Sequence, residues 1–147
     1  MATFSKDDNI YSVDMMFAYI NIFKPEINYV PIKSLEHMLN YNIWSDNGTG
    51  YSPMNVLKNQ KNRAYADDMT RINNADLRYP IILSGDEIID GYHRLTKAKL
   101  IGNKNIRAYK FSSALLKKFL IDDQNNWNKV DSLKINDFIE LFYKKFT

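Results

Sequence analysis

The sequence predicts an α+β domain, on three observations. Short β-branched runs, "INYVPI", "YPIIL", "EIID" and "NIRAYKF", alternate with stretches whose apolar residues recur at helical spacing. Apolar residues make up 45% and charged residues 25% of the 147, an ordinary balance for a chain that buries a core. That length suits one core better than two, so a single domain is expected over 1–147.

Taken in order, residues 1–26 are of mixed polarity around "VDMMFAYINIF", Val13–Phe23, whose apolar positions are too continuous for an exposed helix and stop before Pro25. That segment should pack on the core or on a partner. Residues 27–32 form a β-rich run broken by proline, as at an edge strand. Leu35, Met38 and Leu39 follow at helical spacing behind Ser34, a candidate cap, which predicts a short helix or turn. Residues 45–51, "SDNGTGY", carry the densest turn signal, so an exposed loop is expected there. Ser52-Pro53 then reads as a cap with proline at the first helical position. Two helices should follow, with Ala66, Met69 and Ile72 three apart on the second. "YPIIL" and "EIID" flank Ser84-Gly85 as in a β-hairpin. Leu95, Ala98 and Ile101 define a short helix that Gly102 ends, and "NIRAYKF" is a further strand. Residues 112–147 predict two or three helices around "DDQNNWNK", with Phe138, Leu141, Phe142 and Phe146 as an apolar stripe on the last.

The composition narrows the chemistry. With no cysteine, disulfides, thiolate metal sites and cysteine nucleophiles are excluded. Two separated histidines leave any metal to carboxylates, which suits magnesium better than zinc. A net charge of +3 is compatible with nucleotides or nucleic acid and demands neither. No run approaches membrane-spanning length, and the N-terminus lacks a basic stretch followed by an apolar one. An intracellular, cytoplasmic protein without a membrane partner is therefore expected. The oligomeric state stays open, a homodimer included.

One stretch carries a candidate site. In "DEIIDGYHRLTKAKLIGNKNIRAY", a strand ends at Asp90-Gly91 and a helix follows at once. Such a turn leaves backbone N–H groups and the positive end of a helix dipole pointing outward, where phosphate fits. Gly91 would keep the approach clear, while His93, Arg94, Thr96 and Lys97 could add donors. Asp90 would orient His93 or Arg94, hold magnesium, or accept a proton from a substrate hydroxyl. The competing reading is a plain polar turn, since Asp-Gly before a helix is common and an Asp–Arg neighbour pair is often only a surface contact.

Residues 81–109 resemble the signature of the ParB and sulfiredoxin superfamily, a strand ending in an Asp-Gly-x-His-Arg type motif, a glycine-closed helix and a strand. The matching residues are Pro80, Ile81, Ile89, Asp90, Gly91, His93, Arg94, Leu95, Ala98, Gly102 and Ile106. The likeness extends over about 30–111, with "RINNADLRYPII" similar to small stand-alone members from large DNA viruses and microbes. It implies a ParB/sulfiredoxin-like core over 27–111, a small mixed sheet with surrounding helices, and a helical extension over 112–147. It also implies ATP or another NTP as ligand, with phosphates against the helix that begins near Tyr92, His93 and Arg94. For a viral member, the place would be the host cytoplasm or the virion. Sulfiredoxins need a cysteine where Tyr92 stands, so that activity is excluded. A complete partition protein needs more chain after this module than the 36 residues beyond Phe111. A branch resembling free serine kinases has a nearby Asp-Gly-His-His-Arg motif and uses a glutamate after the first strand as base; Glu36 lies in that region. The resemblance thus implies a nucleotide-binding phosphotransferase or NTP hydrolase. A DNA-associated partition-like or nuclease-like module and a non-catalytic interaction protein are the alternatives.

Other polar and aromatic residues suit plainer roles. His37 reads as a partly buried helix residue, and Trp44 as packing that could alternatively stack on a base. Asp67-Asp68 reads as a solvated helix face, which leaves Asp76, near the hairpin, as the better magnesium ligand beside Asp90. Lys58, Lys61, Arg63, Arg71 and Arg78 could face phosphates or DNA but suit a solvated face better. Trp127 should anchor a loop.

Overall fold

The computed structural model describes residues 2–44 and 50–146. Among them are strands β1 (Thr3–Lys6), β2 (Asn9–Ser12), β3 (Asn28–Pro31), β4 (Ile81–Ser84), β5 (Glu87–Asp90), β6 (Asn105–Phe111) and β7 (Leu120–Asp122). The helices are α1 (Val13–Phe23), α2 (Pro53–Lys58), α3 (Ala66–Asn74), α4 (Tyr92–Leu100), α5 (Ser113–Lys117), α6 (Trp127–Asp131) and α7 (Ile135–Phe146). The class is α+β, with small sheets ordered β1-β2-β7 and β3-β6-β4-β5. The chain divides into two compact units, one of Glu26–Lys110 and one of Met1–Pro25 with Phe111–Thr147. The exposed loop expected at residues 45–51 falls largely on 45–49, outside the described residues.

Within the central unit, local chemistry accounts for most elements. Pro31 tolerates its place because β3 ends the sheet order, paired on one side with β6. The two-residue connection of β4 and β5 pairs Ser84 with Glu87, and Gly85 turns it at φ 57°. Ser52 caps α2 in a reciprocal box: its Oγ accepts from Asn55 N at 3.1 Å, and the Asn55 side chain accepts from Ser52 N at 3.0 Å. α4 closes as a Schellman motif, with Asn103 N donating to Ala98 O at 3.0 Å and Gly102, at φ 80°, donating to Lys99 O at 3.2 Å. Where a short helix or turn is expected around Ser34, two 3-10 segments form, Ile32–Ser34 and Glu36–Asn40. Ser34 does not cap them: its hydroxyl donates back to the Pro31 carbonyl at 2.6 Å. The spacing of Leu35, Met38 and Leu39 still buries all three, together with Ile81, Leu83, Ile88, Leu95, Ala98 and Ile106.

The terminal unit holds elements that the sequence pattern hid. β1, β2 and β7 form a sheet in which Ile10 lies opposite Asp122, so residues 112–147 contain a strand besides the expected helices. Ser12 caps α1 through its Oγ and donates its own N–H to Phe119 O at 2.9 Å. Phe119 is fully buried, with Phe111 stacked on it at 5.5 Å, Tyr19 edge-on at 5.7 Å and Phe146 tilted at 5.4 Å. The predicted stripe of α7 therefore anchors at Phe146, and none of the α7 residues is fully buried. No helix among the described residues is long and apolar enough to cross a membrane.

Candidate functional site

β5 passes into α4 through Gly91, which sits at φ 117°. A Cβ there would stand 2.4 Å from Ile81 Cγ2, so the close approach of β4 demands the glycine. The expectation that its lack of Cβ clears a ligand path is corrected accordingly. Gly91 also leaves α4 without a side-chain cap, whereas Ser12, Ser52, Ser112 and Asn126 cap α1, α2, α5 and α6. The first backbone bond of α4 runs from Leu95 N to Gly91 O at 2.9 Å. The N–H groups of Tyr92, His93 and Arg94 precede it and have no acceptor in the helix.

Arg94 is committed inward. Its Nη1 donates to the carbonyls of Tyr79 at 3.0 Å and Pro80 at 2.7 Å, and its Nη2 donates to Asp90 Oδ2. With its side chain only 17% exposed, this fork ties α4 to the chain entering β4 rather than offering itself to phosphate. Asp90 is its counter-ion.

His93 has a different setting. Its Nε2 lies 3.1 Å from Asp68 Oδ1, and Tyr51 donates its hydroxyl to Asp68 Oδ2. Asp68 is 8% exposed on the first turn of α3, on the same face as the fully buried Ile72 one turn later. The solvated face expected for Asp67-Asp68 thus holds for the exposed Asp67 and fails for Asp68. Trp44 lies on the imidazole of His93, ring centroids 4.4 Å apart and planes 11° from parallel. Trp44 and Tyr51 exchange backbone bonds of 3.2 and 2.9 Å, and Tyr65 packs on Tyr51 at 4.7 Å. The hydrogen bond to Asp68, followed by burial, pushes the Tyr51 hydroxyl up to about 12.

The other expected ligands stand elsewhere. Thr96 is fully buried, its hydroxyl given to Tyr92 O at 2.7 Å. Lys97 Nζ donates to Asn73 O at 2.9 Å and Ala75 O at 2.7 Å, closing the end of α3. Tyr92 packs on the core, and burial raises its hydroxyl. Glu36 pairs with Lys99 at 2.7 Å, on the last turn of α4 while His93 stands on the first. Asp76 accepts from Arg78, which holds its carboxyl down at about 2. His37 is exposed with Tyr41 edge-on, and Trp127 donates to Asn125 as a loop anchor. Lys58, Lys61, Arg63 and Arg71 are exposed.

These placements do not fit a protein-held magnesium ion. Asp90 and Asp76 are each engaged by an arginine, and among the described residues no three His, Asp or Glu side chains could share a metal. The class that fold and site define is an α+β chain with a histidine, a buried carboxylate and an open helix N-terminus at a strand-to-helix turn. Comparison with protein-family models, curated proteins and solved structures finds no match.

Proposed function

We propose that this is a ParB/sulfiredoxin-like, nucleotide-binding domain whose ligand phosphate rests on the first turn of α4. One observation carries this reading: α4 begins at an uncapped Gly91, with the half-exposed ring of His93 on the same turn. Three N–H groups and the dipole end attract an anion without a charged clamp. Two features support the family likeness: the order of β5, Asp90-Gly91-Tyr92-His93-Arg94, α4 and β6, and the hairpin before it. Phosphate recognition then falls to the backbone N–H groups of the turn, which Arg94 braces and beside which His93 stands.

Thermal shift with ATP, ADP, CTP and GTP at millimolar concentration tests this. At least one triphosphate should raise Tm, by about 2.7 kcal/mol of added stability at a hundredfold excess over Kd. If no nucleotide moves Tm, the reading is wrong.

A further inference from the structure

Resting on that nucleotide reading, we infer that His93 is a general base acting through Nδ1, and that Asp68 is the positioning residue that makes it one. A carboxylate only accepts, so the bond between Asp68 Oδ1 and His93 Nε2 places the ring proton on Nε2. In the neutral form of the ring, Nδ1 is then an acceptor. Among the described residues nothing bonds Nδ1, and the side chain keeps 27% of its surface exposed. Tyr51 holds the second oxygen of Asp68, so the carboxylate cannot swing away without losing two bonds. Trp44 fixes the plane of the imidazole from one face.

The direction of the ring also matters. Side chains on a helix lean toward its N-terminus, so His93 leans toward the anion end of α4. A phosphate held by the N–H groups of that turn would lie beside Nδ1. An unprotonated nitrogen repels phosphate oxygens and suits a proton-bearing group. The ligand facing His93 is therefore the attacking nucleophile, water or a substrate hydroxyl, directed at the terminal phosphoryl of a nucleoside triphosphate. In that step the nucleophile's O–H proton passes to Nδ1 and its oxygen bonds phosphorus. The bridging P–O bond breaks, and its electron pair leaves with the nucleoside diphosphate. This reassigns His93 from phosphate clamp to base, with Asp68 in a role that neither Glu36 nor Asp90 is placed to fill.

Three measurements on the full chain decide it. Long-range proton–nitrogen NMR should find the Nε2–H tautomer of His93 in wild type and lose it in Asp68→Asn. Phosphate release from the bound triphosphate should fall about 100-fold in Asp68→Asn and His93→Gln, the scale of one lost general base. Triphosphate affinity should stay within about threefold of wild type in both, and Asp68→Glu should recover part of the rate. An Nδ1–H tautomer in wild type, or Asp68→Asn releasing phosphate at the wild-type rate, overturns the inference. So does triphosphate binding with release no faster than in His93→Gln. If Asp68→Asn does not fold, the wild-type tautomer and the His93→Gln rate still decide. Loss of nucleotide binding altogether would instead sink the reading on which this rests.

Discussion

The indole of Trp44 and the imidazole of His93 lie face to face, 4.4 Å between centroids and 11° from parallel. The stack keeps water from one face of the indole, so the emission of Trp44 reports whether the ring of His93 is in place. With Trp127→Phe, Trp44 is the sole tryptophan of the chain. Its emission should move to longer wavelength in His93→Ala, where that face meets water. Identical spectra with and without His93 would show that the two rings do not stack.

Arg94 is expected to matter for stability and little for ligand. Its three bonds reach two carbonyls and Asp90 from a side chain 17% exposed. Arg94→Lys keeps the charge and loses the planar fork, leaving at least one carbonyl without a donor, at about 1–3 kcal/mol. Chemical denaturation should show that loss. Nucleotide affinity of the folded variant should stay within about threefold, whereas a phosphate-clamping arginine would lose far more.

What the sequence revealed and what it hid follow from range. The hairpin at Ser84-Gly85, the Ser52-Pro53 cap and the Gly102 stop are settled by neighbours in the chain, so their residue types announce them. Asp68 meets His93 across 25 positions, and nothing in "YADDMT" shows which aspartate turns inward. Its position one turn before Ile72 was the available signal. Arg94 was misleading because two of its acceptors are backbone carbonyls, which residue identity does not display. β2 and β7 are four and three residues long and separated by about a hundred others, so neither shows a period by itself.

Two glycines of positive φ should respond unequally to alanine. At Gly91 a Cβ meets Ile81 at 2.4 Å and the φ is 117°, so overpacking adds to backbone strain. At Gly102 the φ is 80° with nothing within 4 Å of the added atom, so strain acts alone. Gly91→Ala should cost roughly 2–5 kcal/mol and Gly102→Ala about 1. Equal losses in urea unfolding would contradict the packing of β4 against the turn.

Tyr51 gives the site a signature in alkali. Its hydroxyl, which donates to Asp68, is raised from 10.0 to about 12 by that bond and then by burial. A group whose folded value lies above its unfolded one contributes fully below the unfolded value. The contribution of Tyr51 is therefore complete below pH 10 and fades as pH climbs toward 12. Tyr51→Phe removes it at every pH, so the gap in Tm between wild type and variant should be widest near neutrality and close across that window. Tyrosinate absorbance should show the same residue as a late step absent from the variant. Because Tyr51 restrains Asp68, the variant should also broaden the His93 tautomer signal at neutral pH while leaving nucleotide affinity nearly unchanged. A Tm gap constant from pH 8 to 12 would mean that the hydroxyl does not titrate against Asp68, and the chain from Tyr51 to His93 would lose its first link.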